Sequence, residues 1–240
     1  MLKTVILAAG KGTRMKSDLP KVLHEVCAKS MVEHVIDAAR AAGSDDICVI
    51  VGYGADEVKE KLKDSVKYAV QEEQLGTGHA VKCAADFIGN DGDTMILCGD
   101  TPLIDAKTLK GMYEFHKSKG HKATLLSTKF EDPTGYGRII RDADGHFIKN
   151  VEHKDATDEE RESKEVNAGM YVFDSEALQE ALKELKNDNV QGEYYLPDVL
   201  EIIKGRGGDV EAFVAERPEV IMGCNTVEQL REAERIMLNR

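Results

Sequence analysis

The sequence predicts an α/β fold, with a mostly parallel sheet flanked by helices on both faces. Three observations carry that expectation. Short apolar, often β-branched runs alternate with stretches of helical spacing through the first half of the chain. Polar residues suited to ligand chemistry (Gly10, Gln71 and Asp100) each follow a different strand, where open sheets of this kind bind ligands. With 240 residues, 42% of them apolar, the chain can bury one substantial core.

Taken in order, Lys3-Thr4-Val5-Ile6 reads as a buried strand. So do Ile47-Cys48-Val49-Ile50-Val51, Lys67-Tyr68-Ala69-Val70, Met95-Ile96-Leu97 and Ala123-Thr124-Leu125-Leu126. Between them, helical spacing links Met31, Val32, Val35, Ile36 and Ala39, then Val58 and Leu62. The same spacing recurs at Ala80, Val81, Ala84 and Ala85, and at Leu109, Met112 and Tyr113. After Phe130 the texture changes. Turn signals at Asp132-Pro133-Thr134-Gly135 and Asp142-Ala143-Asp144-Gly145 flank or precede the extended pieces Arg138-Ile139-Ile140 and Phe147-Ile148. That pattern predicts a smaller, partly antiparallel lobe over 131–225, following a lobe over 1–130 and preceding a terminal helix over 226–240. The charge run at 155–165 reads as a solvated turn, with Thr157 and Glu160 spaced as a capping box. Residues 175–185 and 226–237 read as amphipathic helices.

The loop after the first strand is the most informative stretch. It runs Leu7-Ala8-Ala9-Gly10-Lys11-Gly12-Thr13-Arg14-Met15, with Leu19-Pro20-Lys21 close behind. Glycines after a strand let backbone N–H groups approach an anion, and Arg14 and Lys21 can neutralise it. Neither common phosphate template fits. G-x-G-x-x-G would need glycine where Met15 stands, and G-x-x-x-x-G-K-[ST] needs another spacing.

Bulk charge narrows the partners. Lys and Arg total 32 against 44 Asp and Glu, a net charge of −12. That argues against a surface that coats nucleic acid, while one cationic loop can still hold phosphate. No apolar run has the length of a membrane span, and no secretory leader opens the chain. Five cysteines without a C-x-x-C pair point to reduced thiols in a cytoplasm. G-x-S-x-G and H-E-x-x-H are absent, and the histidines show no ligand spacing.

The ordered set of motifs resembles the sugar-nucleotide pyrophosphorylases, a branch of the nucleotidyltransferases. Beyond the first loop it includes Gln71-Glu72-Glu73-Gln74-Leu75-Gly76-Thr77-Gly78-His79-Ala80 and Gly99-Asp100-Thr101-Pro102-Leu103. Further blocks are Asp132-Pro133-Thr134-Gly135-Tyr136-Gly137-Arg138, Val151-Glu152-His153-Lys154-Asp155-Ala156-Thr157, Asn167-Ala168-Gly169 and Gln191-Gly192-Glu193-Tyr194-Tyr195. The likeness spans roughly 5–231 and is greatest to uridyltransferase domains that make UDP-N-acetylglucosamine. It implies a Rossmann-like nucleotidyltransferase fold. It also implies transfer of a uridylyl group from UTP to N-acetylglucosamine 1-phosphate in the cytoplasm, for cell-wall precursors.

The resemblance assigns roles residue by residue. Arg14 and Lys21 would be the catalytic cations, matched to a reaction between two polyanions. Leu7, Ala8, Ala9, Gly10, Lys21, Gln71, Gly76, Thr77, Cys98, Gly99 and Asp100 would hold the nucleotide, with Gln71, Gly76 and Thr77 reading the base. Gly137, Glu152, Asn167 and Asn225 would face the sugar phosphate. Mg²⁺ is the implied cofactor, with Asp100 and Asn225 as its protein ligands. From the residues alone, an Asn before Thr226 equally reads as a turn or helix cap. In bifunctional relatives a β-helix of hexapeptide repeats follows and forms trimers; these 240 residues hold no such repeats, which fits either a single-function protein or an excised domain, with a monomer as the default expectation. Two other readings stay open: a transferase for another sugar phosphate, CTP or dTTP, and a non-catalytic sugar-nucleotide sensor.

Overall fold

The computed structural model describes residues 1–189 and 191–240. β1 (Leu2–Ala8) lies near the centre, and a short ribbon of β2 (Glu25–Val26) and β3 (Lys29–Ser30) leads into α1 (Met31–Ala41). Then come β4 (Asp46–Val51), α2 (Ala55–Leu62), β5 (Lys67–Val70), α3 (Thr77–Cys83), α4 (Ala85–Ile88) and β6 (Asp93–Cys98). α5 (Ala106–Lys119) and β7 (Ala123–Lys129) complete the first half. The second half supplies β8 (Arg138–Arg141), β9 (Phe147–Val151), α6 (Asp158–Arg161), β10 (Glu165–Asp174) and α7 (Ser175–Glu184). It ends with α8 (Asp198–Gly205), β11 (Val210–Val214) and α9 (Val227–Leu238).

The sheet runs β11-β7-β10-β6-β1-β4-β5, and β10 alone on that path is antiparallel to its neighbours. β1 shows why its run is apolar on both alternations. Val5 belongs to the core under α3, α7 and α8, while Ile6 belongs to the core under α1, α2 and α5. Both are wholly buried, as a strand covered by helices on each face requires. Local signals fix the helix starts. Ser30 and Glu33 form a reciprocal capping box at α1, and Asp105 accepts the Thr108 N–H at 2.8 Å before α5. Thr157 and Glu160 cap α6 in the same reciprocal way.

Two arrangements differ from the sequence expectation. The segment 131–225 shares its sheet with 1–130, because β10 and β11 run in the central path. Only the β8–β9 hairpin stands off that path, attached through β8 to β10. The charge run at 155–165 is exposed over most of its length, but Glu165 at its end is buried and paired with Arg141 at 2.7 Å. Among the described residues no helix is long and apolar enough to cross a membrane, and the five cysteines are free thiols.

Candidate active site

The carboxyl ends of β1, β5 and β6 bring the first loop, the Gln71 loop and Asp100 together. A cavity of about 350 Å³ there is lined by Leu7, Ala8, Ala9, Gly10, Lys21, Gln71, Gly76, Thr77, Cys98 and Asp100, among others. A second cavity of about 490 Å³ is lined by Gly137, Glu152 and Asn167. Leu7, Thr77, Cys98 and Glu193 line both, so the two form one cleft with a cationic end and a polar end.

At the cationic end, Lys21 pairs with Asp100 and donates to Asn225 Oδ1 at 2.6 Å. Arg14 donates to that same oxygen, also at 2.6 Å. Gly12 makes this possible. Its φ of +62° suits glycine, and a Cβ there would stand 2.5 Å from Lys21 Cβ. Gly10, by contrast, has nothing within 4 Å of where a Cβ would be, so no steric contact demands glycine there. Asn225 arrives from the far end of the chain. Its neighbour Cys224 donates its backbone N–H to Asp100 O at 2.9 Å, and Asn225 N–H donates to Gln229 Oε1 at 2.7 Å. Thr226, not Asn225, caps α9, leaving Asn225 Oδ1 to accept from Arg14 and Lys21 beside the first cavity, away from Glu152 and Asn167, which line the second.

The donor set suits a hard divalent cation. Asp100 Oδ2 and Asn225 Oδ1 converge on one ammonium, so the two oxygens already meet at a point where positive charge is stable. A carboxylate and an amide oxygen, completed by phosphate and water, are the ligands Mg²⁺ takes. Among the described residues no group of three or more His, Cys, Asp or Glu is placed to hold a metal ion, so phosphate and water would have to complete its ligands.

The Gln71 loop is fixed from two sides. Gln74 donates to Ala9 O at 2.7 Å, tying it to the first loop. Gly78 N–H donates to Tyr194 O at 2.8 Å, and Leu196 N–H donates to Thr77 Oγ1 at 3.1 Å. Gln71 itself is only 4% exposed, yet it lines the cavity. Cys98 donates through sulfur to Gly169 O at 3.3 Å, and burial, then the Asp100 charge, pushes its thiol up to about 12. It is a protonated wall of the cleft and no nucleophile.

At the polar end, a Cβ on Gly137 would stand 2.8 Å from Asn150 Oδ1 and 3.2 Å from Glu152 Oε1, so a side chain there would push the ends of those two residues aside. Glu152 is exposed to the cleft. Asn167 is spoken for: its amide donates to the Tyr171 hydroxyl at 2.9 Å and accepts Gly169 N–H at 2.8 Å. Its evident work is to hold the bulge in β10 that shapes this wall. Sequence reasoning gave no role to Glu193, Tyr136 or Tyr195, which also line the cleft. The block that contains Glu193 and Tyr195 was the available signal, and Tyr136 sits in the turn before Gly137.

The nucleotidyl transferase family matches residues 3–216. The chain is 54% identical over 239 residues to bifunctional protein GlmU of Caldanaerobacter subterraneus subsp. tengcongensis, covering 100% of this chain and 52% of that one. Against bifunctional protein GlmU of Bacillus licheniformis it is 52% identical over 237 residues, covering 98% and 52%. The chain thus spans about half the length of the curated relatives it matches. A solved Bacillus anthracis structure, assigned as a glucose-1-phosphate thymidylyltransferase, superposes with a TM-score of 0.81. It is 24% identical and covers 98% of this chain and 95% of its own, so it shows the shared fold. A family match across most of the chain, on a fold that places the cationic loop beside Asp100, means that this chain belongs to the nucleotidyl transferase family.

Proposed function

We propose that this chain is a uridylyltransferase that joins UTP and N-acetylglucosamine 1-phosphate to give UDP-N-acetylglucosamine and pyrophosphate. The observation that carries the reading is the convergence of Arg14, Lys21, Asp100 and Asn225 beside a cleft made of two adjoining cavities. Identity near 54% to bifunctional GlmU proteins over the full chain supports the choice of substrates.

In this reading the sugar phosphate lies toward Glu152 and the nucleotide toward Gln71, with the reacting phosphates near the junction. A phosphate oxygen of the sugar attacks the α-phosphorus of UTP in line, and the bond to pyrophosphate breaks. Two polyanions must meet, so the chain's work is neutralisation and alignment. Arg14 offers a planar fork of donors and Lys21 a compact charge on a mobile stem. Both are held near the point of transfer by Asn225. Asp100 and Asn225 would hold Mg²⁺, which when bound screens phosphate charge during transfer. Thr77 and Cys98 stand where the two halves of the cleft meet, shaping the wall.

The test is pyrophosphate release measured over a matrix of nucleoside triphosphates and sugar 1-phosphates with Mg²⁺. The UTP and N-acetylglucosamine 1-phosphate pair is expected to turn over fastest. A faster rate with dTTP, CTP or glucose 1-phosphate would assign the chain to a different sugar nucleotide.

A further inference from the structure

We infer that His79 is a positioning residue that fixes which face of the Gln71 amide meets the base, and so sets the preference for uracil over cytosine. This rests on the reading of the cleft as a UTP site. Gln71 Nε2 lies 3.0 Å from Gly76 O and 3.2 Å from His79 Nδ1. A backbone carbonyl can only accept, so the amide nitrogen must be the atom facing it. An amide nitrogen can only donate, so His79 Nδ1 accepts and its ring proton sits on Nε2. Both hydrogens of the Gln71 amide are then used inside the protein. The atom left for a ligand is Oε1, an acceptor.

That assignment separates two bases. Uracil presents an N–H at its N3 position, which an amide oxygen accepts, whereas cytosine presents a lone pair there, which the same oxygen repels. Accommodating cytosine would require the amide to turn over. Turned, its oxygen would oppose the Gly76 carbonyl, and His79 could meet it only after its ring proton moved from Nε2 to Nδ1, at a site where Gln71 is 4% exposed. Surroundings hold both partners in place. Gln71 N–H donates to Val51 O at 2.8 Å, and the His79 ring lies against Tyr194 with centroids 6.2 Å apart. Removing the His79 acceptor leaves Gly76 as the single restraint, and the penalty for turning falls.

The experiment compares the parent with His79→Ala and His79→Asn, whose amide oxygen can replace Nδ1 as acceptor. Steady-state kcat and KM are measured for UTP and CTP with saturating N-acetylglucosamine 1-phosphate. The expected result is that His79→Ala lowers the UTP to CTP ratio of kcat/KM about tenfold, the worth of one hydrogen bond of about 1.4 kcal/mol. The change should lie mainly in KM, and His79→Asn should restore most of the ratio. An unchanged ratio in His79→Ala, in a parent that prefers UTP, overturns the role of His79 alone. A parent that prefers CTP overturns the UTP reading and this inference with it. Nitrogen NMR of the His79 ring at pH 8.5 gives a measure free of turnover and of mutation. Hydrogen on Nε2 with bare Nδ1 supports the arrangement, and hydrogen on Nδ1 overturns it.

Discussion

Lys21 and Asp100 form a part-buried ion pair across the cleft, with side chains 12% and 25% exposed, and Asn225 supplies a second oxygen to the same ammonium. The ammonium is therefore the positive charge shared by the same two oxygens that would hold Mg²⁺. Asp100→Asn keeps the shape and removes the negative charge. It should abolish most turnover and raise the Mg²⁺ concentration needed for half-maximal rate. Asn225→Ala should raise that concentration less, since a neutral amide is the poorer ligand. A Mg²⁺ titration of rate in each variant is the check; parent-like curves in both would remove these residues from the metal.

Arg14 and Lys21 should be separable by stability although the proposed transfer uses both. Replacing either by Ala is expected to cost ~3–4 kcal/mol of transition-state stabilisation, about a hundred- to a thousand-fold in turnover. Arg14 is exposed, so its loss should leave the melting temperature unchanged. Lys21 differs, because its stem packs on Gly12 and its charge is paired. Lys21→Ala should therefore lower stability by about 1 kcal/mol, a partly exposed pair being worth less than a buried one. Near-normal turnover in either variant would show that its cation does not act on the phosphates.

Acid should weaken the fold through Asp93, at the opposite end of β6 from the cleft. Burial would raise its carboxyl, but hydrogen bonds from His116 and Lys117 and their charges outweigh it and hold Asp93 at about 2, below the ordinary 3.8. A carboxylate depressed in the folded state contributes stability above its unfolded value and loses it as pH falls toward the folded one. The contribution, about 2 kcal/mol, should be intact at pH 6 and fade between about pH 5 and pH 2. Urea unfolding of the parent and Asp93→Asn across that range reads it. Their difference should shrink as pH falls, and parallel curves would contradict the assignment.

How much the sequence revealed depended on how local each signal was. The strands at Ile47 to Val51 and Lys67 to Val70 show as apolar or β-branched runs within a few residues, and they form where expected. β10 was not anticipated because a charge run leads into it and Gly169 interrupts its alternation. Its place between β6 and β7 is set by pairing with distant strands. Asn225 illustrates the same limit in the site. Beside Thr226, either residue could cap the helix, and contacts made on folding, Cys224 N–H to Asp100 O and Asn225 N–H to Gln229 Oε1, hold Asn225 with its Oδ1 on the cations. The grouping of Arg14, Lys21 and Asp100 was legible from strand ends; the internal engagement of Gln71 and Asn167 was not, because their partners come from folding of the loop and the bulge.

The ribbon joining β2 to β3 offers a stabilising change away from the cleft. Its two turn residues, Cys27 and Ala28, have φ of +50° and +61°. A two-residue hairpin with positive φ at both positions takes the I′ form, which favours Asn followed by Gly. Ala28 meets that geometry with a Cβ, at a cost of about 1–2 kcal/mol for a left-handed L-residue. Glycine removes the clash but adds freedom to the unfolded chain, worth about 0.4–1 kcal/mol. Ala28 is exposed, so the lost methyl gives up little packing. Ala28→Gly should then stabilise the protein by about 0.5–1 kcal/mol, a rise of about 1–4 °C in melting temperature for a chain of this length. Turnover should not change, since the ribbon contacts α9 and lies outside both cavities. Thermal unfolding followed by circular dichroism decides it. A fall in melting temperature would mean that the Ala28 methyl contributes more to packing than its backbone conformation costs.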